Sequence, residues 1–189
     1  DMGFYDSIEA VIRQTPSRRQ TLLFSATYPP GIEKLAGEFL RQPEQVTVEA
    51  QHDNNRIEQR FYEVDPAERL DVVRKVLLCF RPRSCVAFCF TKQQCDDVAD
   101  YLNRHGISAM ALHGDMEQRD RDQVLVMFAG RSISVLVATD VAARGLDIAS
   151  LDLVLNVELA RDADTHIHRV GRTGRAGEKG LALSLGGPS

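Results

Sequence analysis

The 189-residue sequence has no apolar run near the roughly 20 residues needed to cross a bilayer. It shows no secretory signal, and its opening Asp1-Met2-Gly3-Phe4 reads as the interior of a longer chain. A soluble, cytoplasmic protein with no membrane partner is the expectation. No Cys-x-x-Cys pair is present. Cys79, Cys85, Cys89 and Cys95 lack the clustered histidines that would complete a zinc site. Cys85 and Cys89 lie in an apolar run and are expected as small core residues, and disulfides are not expected. Asp140 and Asp147, separated by a loop, specify no coordination geometry, so no metal site is expected. An excess of basic residues is also lacking. Lys and Arg number 23 against 27 Asp and Glu, a net charge of -4, which excludes nucleic-acid binding through overall charge. Any such contact needs a local patch, for which Arg161, Arg169, Arg172, Arg175 and Lys179 are candidates. Finally, there is no Gly-x-x-x-x-Gly-Lys-Ser/Thr loop. Without that cradle of backbone N–H groups the chain is not expected to hold a nucleoside triphosphate tightly by itself.

What is there divides in two. Residues 1–50 carry a short helix at Ile8 to Ile12, a buried strand at Gln20–Phe24, a helix starting at Thr27 and running to about Leu40, and a strand at Gln45–Glu49. Four short elements bury too little surface to stand alone. Residues 51–56 are polar and aperiodic and read as a linker. Residues 57–189 alternate strands and helices. Strands are expected at Ile57–Val64, Cys85–Phe90, Ser108–Leu112, Ser134–Val137, Leu153–Val157 and Leu181–Leu185. Helices are expected at Glu68–Phe80, Gln93–Arg104, Glu117–Phe128 and Ala163–Val170. Near-continuous apolar strands alternating with helices predict an α/β fold, a parallel sheet with helices on both faces.

Polar residues gather at the strand ends: Thr91-Lys92, His113-Gly114-Asp115, Thr139-Asp140 and Glu158. Ligands of open parallel sheets bind outside the carboxyl ends of the strands. Singly, Thr91 or Asp115 could be no more than a helix cap, whereas the set points to a binding edge. A lone His113 reads as a hydrogen-bonded structural residue, with no evident partner to make it a base. Arg172 and Arg175 lie three apart, so a helical turn would place them on one face, with Gly171 and Gly174 removing bulk beside them. Two guanidinium forks on one small surface suit a phosphate chain; a solvated basic turn is the alternative. With no phosphate cradle in the chain, these arginines would act on a phosphate held by another domain, as arginine fingers do.

Five motifs together resemble the DEAD-box RNA helicases. Ser25-Ala26-Thr27 is similar to motif III, and Phe88-Cys-Phe-Thr-Lys92 to motif IV. His113-Gly-Asp115 with Gln118 and Arg121 is similar to the next RNA-contacting block. Ala138 to Ile148 is similar to motif V, and His168 to Arg175 to motif VI. The resemblance implies a RecA-like, P-loop NTPase-type helicase C-terminal domain over 57–189, preceded by the end of a first RecA-like domain over 1–50. Asp1-Met-Gly-Phe4 resembles the stretch that follows the Asp-Glu-Ala-Asp signature, which is then expected upstream. By the same resemblance, Asp147 contacts the ATP ribose, and Arg172 and Arg175 reach the γ-phosphate as the catalytic arginines. Thr91, Lys92, Gly114, Gln118, Arg121 and Thr139 hold RNA. Ser25 and Thr27 couple ATP state to RNA, and His168 joins the two domains. The implied cofactor is ATP, with Mg²⁺ held by the first domain. The implied partners are RNA and that N-terminal RecA-like domain, with ribosomal RNA or ribosome-assembly particles as further candidates.

The sequence departs from the family pattern in three places. Phe90 stands where Asn is usual, which puts the local hydrogen bonding of Thr91 and Lys92 in question. Glu158-Leu-Ala160 replaces a Tyr-Asp-Leu-Pro type of segment, and His166 replaces a common aromatic. The Glu-Leu-Ala segment and the run Glu117–Gln123 resemble a bacterial subgroup that carries an extra RNA-binding domain after the helicase core. The implied activity is ATP-dependent, local unwinding of RNA duplexes by the whole protein, with this fragment inactive by itself. The rivals are a DNA helicase of the same superfamily and a non-enzymatic RNA-binding module.

Overall fold

The structure, a computed structural model, describes residues 5–25, 30–47, 57–144, 151–174 and 179–187. It forms two compact units, residues 1–51 and 52–189. In the first, helix α1 spans Tyr5–Arg13 and helix α2 spans Pro30–Phe39. Tyr5 joins them, its ring centroid 6.2 Å from that of Phe39 and its hydroxyl on the Glu38 carboxylate. Among the described residues of this unit, Ala36 alone is buried. The strand expected at Gln20–Phe24 does not form, and Leu22 and Phe24 are 67% and 87% exposed. Gln45–Thr47 are likewise irregular, the rest of that expected strand lying outside the described residues. A strand is stable only when neighbours satisfy its backbone groups and a second layer covers its side chains. The described residues of this unit supply neither.

The second unit holds strands β1 Ile57–Glu63, β2 Cys85–Cys89, β3 Ala109–Leu112, β4 Val135–Thr139, β5 Leu153–Asn156 and β6 Gly180–Gly186. A short 3-10 turn, Pro66–Glu68, leads into helix α3, Arg69–Phe80. Helices α4 Lys92–Arg104, α5 Gln118–Ala129, α6 Asp140–Ala143 and α7 Ala163–Val170 complete it. The sheet order is β1-β6-β5-β2-β4-β3, and every pair is parallel. Each element expected in this unit forms, with ends shifted by one or two residues. Helix α6 is additional, because four residues are too few to display a helical period.

The two-residue period of the strands sorts side chains onto two faces. Cys85, Ala87 and Cys89 of β2 pack under α3 and α4, with Val73, Leu77, Cys95, Val98 and Leu102. Val86 and Phe88 pack under α5, α6 and α7, with Val124, Phe128, Ala142 and Val170. All five residues of β2 are buried, as a central strand covered on both sides requires. Strand β1 is one of the two edges, and beyond the half-buried Ile57 its residues are exposed. Cys85, Cys89 and Cys95 are buried free thiols, and burial pushes the Cys85 thiol well above its ordinary pKa. Cys79, by contrast, is exposed.

One close approach fixes the sheet beside α7. Gly174 has φ +67°, and a Cβ there would sit 2.6 Å from Ile57 Cγ1. A Cβ on Gly180 would lie 2.5 Å from the Gly174 backbone nitrogen and 2.7 Å from Thr173 Oγ1. These glycines let the turn after α7 lie directly on β6 and β1. Gly180→Ala is expected to lower unfolding free energy by about 1–3 kcal/mol, because the obstacle is backbone and cannot swing aside. Chemical denaturation of this unit measures that change.

Candidate functional site

A parallel sheet delivers all its carboxyl ends to one edge. Thr139 ends β4 there, and Thr91 and Gly114 follow the ends of its neighbours β2 and β3. Thr91 is the N-cap of α4 in a reciprocal capping box with Gln94. Its hydroxyl accepts from the Gln94 backbone N–H at 3.2 Å, and Gln94 Oε1 accepts from the Thr91 N–H at 3.1 Å. Thr139 closes β4 and caps α6, accepting from Ala142 N–H at 3.4 Å. Both threonines therefore cap helices, yet Thr91 remains exposed and Thr139 half-buried on the edge.

Lys92, at the start of α4, forms an ion pair with Asp115 in the β3–α5 loop. The ammonium holds the Asp115 carboxyl below its ordinary pKa. Gly114 faces open space apart from Lys92 Cε, 3.9 Å from a built Cβ, so packing within this unit does not demand a glycine there. Arg121 is half-buried and donates to the His113 carbonyl at 3.3 Å. Gln118 opens α5, exposed, and donates to Asp122 at 2.8 Å. Thr91, Lys92, Gly114, Gln118, Arg121 and Thr139 thus share the carboxyl edge of the sheet. His113 does have a partner: its Nε2 lies 3.0 Å from Asp96 Oδ1, while its buried Nδ1 has none among the described residues. Asp96 comes from the next turn of α4, a pairing that sequence distance conceals.

The basic cluster needs correction. Arg169 is 1% exposed and belongs to no surface patch. Its Nε and Nη2 each donate to Asp140 at 2.7 Å, and its Nη1 donates to Asn156 Oδ1 at 3.1 Å and to the Glu158 carbonyl at 2.8 Å. Position decides this: Arg169 lies on the inward face of α7 beside the buried Val170, whereas His168 is on the exposed face. The guanidinium also lies 5.0 Å from the Phe88 ring centroid and 5.7 Å from that of Phe90. Asp140, the one acid of the discarded metal pair that is described, is thereby committed to Arg169.

Phe90 does not leave Thr91 unsupported. Gln94 supplies the hydrogen bonds, the Phe90 N–H donates to Glu158 Oε2 at 3.2 Å, and the ring carries the exposed Arg161 at 4.9 Å. His166, in place of an aromatic, still stacks on Phe61, with centroids 5.9 Å apart, and pairs with Gln59 at 2.9 Å. Burial pushes its pKa down.

Helix α7 ends at Val170, so Arg172 lies beyond the helix, and its spacing to Arg175 falls partly outside the described residues. Thr173 bridges to Leu151, and the Arg172 carbonyl accepts from the Leu151 N–H at 3.1 Å. The half-buried Arg172 therefore sits in a turn pinned to the strand entering β5. Lys179 is exposed, and Ser25 is exposed in an irregular stretch of the first unit. Thr27, Asp147 and Arg175 lie outside the described residues. Among the described residues no three His, Cys, Asp or Glu side chains gather to hold a metal, and no helix is long and apolar enough to cross a membrane.

Residues 68–177 match the family model of the helicase conserved C-terminal domain. The chain is 53% identical over 188 residues to the ATP-dependent RNA helicase DbpA of Escherichia coli K12, covering all of this chain and 41% of that protein. It superposes on the solved structure of S. cerevisiae Dbp5 bound to RNA and ADP BeF3 with a TM-score of 0.84 at 30% identity, over 100% of this chain and 50% of that one. A third relative is the E. coli DEAD-box protein SrmB, solved bound to regulator of ribonuclease activity A. There the TM-score is 0.66 and the identity 35%, over 69% of this chain and 78% of the other. The chain spans about two fifths of the length of the curated relatives it matches.

Proposed function

From the premise that this chain belongs to the helicase conserved C-terminal domain family, we propose that it forms part of an ATP-dependent DEAD-box RNA helicase. Residues 57–189 are its second RecA-like domain, and residues 1–50 the end of the first. The observation that carries this reading is the convergence of Thr91, Thr139 and Gly114 on one carboxyl edge of a parallel sheet. In that place hydroxyls, an open glycine backbone and the basic Lys92 and Arg121 hold the phosphates and sugars of an RNA strand. Contacts of that kind position a strand without reading its bases, so binding is insensitive to sequence and weakens with salt. Riboses presented to such an edge favour RNA over DNA through the 2′-hydroxyl.

The chain also fits ATP as a donor of charge and not as its cradle. At the described edge, Thr91 and Thr139 already cap the helix N-termini that would otherwise hold a triphosphate. Arg172 offers a donor-only fork on a backbone pinned to Leu151. Arg172 and Arg175 hold the γ-phosphate oxygens and Asp147 the ribose, with Mg²⁺ and the phosphate cradle supplied by the first domain. Bound ATP supplies the scissile phosphoanhydride, and the arginines offset charge that grows in the transition state. Ser25, Thr27 and His168 link the two domains, and Lys92 and Gln118 complete the RNA edge.

Duplex unwinding by the full-length protein tests the reading. An RNA duplex is expected to open in the presence of ATP at least about tenfold faster than a DNA duplex of the same sequence. Preferential opening of DNA would replace the substrate assignment.

A further inference from the structure

The Glu158 side chain, in the loop after β5, is 15% exposed and gathers donors from three distant segments. Its Oε2 accepts from the Phe90 N–H at 3.2 Å. Its Oε1 accepts from Gln94 Nε2 at 3.0 Å and from Arg69 Nη1 at 3.3 Å. An ionised carboxylate only accepts hydrogen bonds. The Gln94 amide must therefore turn its NH₂ to Glu158 and its oxygen to Thr91. That oxygen lies 3.1 Å from both the Thr91 N–H and the Thr91 hydroxyl. The Gln94 backbone N–H donates to the same hydroxyl at 3.2 Å.

We propose that Glu158 is a positioning residue for RNA binding, fixing the Thr91 hydroxyl through the Gln94 side chain. This rests on the proposal that Thr91 contacts RNA. With Gln94 oriented by Glu158, the Thr91 hydroxyl donates to Gln94 Oε1 at 3.1 Å and accepts from the Gln94 N–H at 3.2 Å. Its remaining lone pair is then held in place to accept from a donor on the RNA strand, such as a ribose 2′-hydroxyl. Without the carboxylate, the Gln94 amide keeps only its Thr91 partners to set its direction and loses the acceptor that holds its NH₂. A flipped amide presents NH₂ to the Thr91 N–H, opposing donor to donor and loosening the cap. Phe90, in place of an amide-bearing residue, leaves Gln94 as the side chain that supports Thr91 here.

A double-mutant cycle in the full-length protein tests it, reading affinity for single-stranded RNA in the presence of a non-hydrolysable ATP analogue. E158Q, nearly isosteric, is expected to weaken RNA binding by roughly fivefold in the native background and by less than about 1.5-fold in a T91A background. Q94A, which leaves the Glu158 contacts to Phe90 and Arg69 in place, is expected to repeat that pattern and guards against a folding defect in E158Q. Equal losses in both backgrounds would overturn the relay while leaving Thr91 as an RNA contact. No loss from E158Q or Q94A in the native background would also overturn it. If T91A itself leaves RNA affinity unchanged, the Thr91–RNA contact fails, and the relay fails with it.

Discussion

Arg175→Ala in the full-length protein is expected to reduce RNA-stimulated ATP turnover by about 10³-fold or more, while RNA affinity in the absence of nucleotide stays within about twofold. Arg172→Ala is expected to behave alike. The physical basis is the loose transition state of phosphoryl transfer, in which charge builds on the equatorial oxygens and a fixed guanidinium offsets it. On the proposed reading these arginines contribute charge to a phosphate that the first domain holds, so removing one takes away stabilisation made only in the transition state. Such a loss lowers kcat and kcat/KM together. Steady-state ATPase with saturating RNA separates this from an RNA-binding role. If the arginines gripped RNA and never met ATP, RNA affinity would fall first and turnover would recover at high RNA concentration.

The second large effect is on stability. Asp140→Ala is expected to lower the unfolding free energy of the second unit by about 3 kcal/mol or more. The substitution strips both charge-assisted hydrogen bonds from the Arg169 Nε and Nη2. Arg169 is 1% exposed and cannot swing out to water, so its charge would be left with only the neutral acceptors Asn156 and the Glu158 carbonyl. Leaving a buried charge unpaired costs far more than the pair itself contributes. Urea denaturation followed by circular dichroism measures the change. A loss under about 0.5 kcal/mol would mean that water reaches the guanidinium, contrary to its burial. Asp140 directly follows Thr139, and Arg169 directly follows His168, so this pair also clamps the carboxyl edge of the sheet to the helix that leads into Arg172.

Much of the second unit is legible in the sequence because its signals are local. Apolar runs such as Cys85–Cys89 fall between helices with clear amphipathic spacing, and each such strand finds parallel neighbours. The run Gln20–Phe24 looks the same in sequence but remains irregular, because strand formation depends on a partner and not on the run itself. The polar carboxyl edge is legible for a topological reason: in a parallel sheet every strand end points the same way.

What is not legible depends on contacts distant in sequence. Arg169 reads as one of several basic residues, and only the packing of α7 separates it from the exposed His168. His113 stands alone in the sequence, and α4 brings Asp96 to 3.0 Å from it. Phe90 reads as a lost amide, while the compensation comes from Gln94, four residues on, and from Glu158 in the loop after β5. The capping spacing of Thr91 and Gln94 is a visible signal for the first half of that compensation. The carboxylate that orients Gln94 has no signal in a single sequence.

The most direct measurement is a structure of the full-length protein trapped with RNA and a nucleotide carrying a γ-phosphate mimic. The guanidinium groups of Arg172 and Arg175 are predicted within hydrogen-bond reach of that mimic, about 3 Å. Guanidinium groups turned away from the triphosphate in that trapped state would contradict the account.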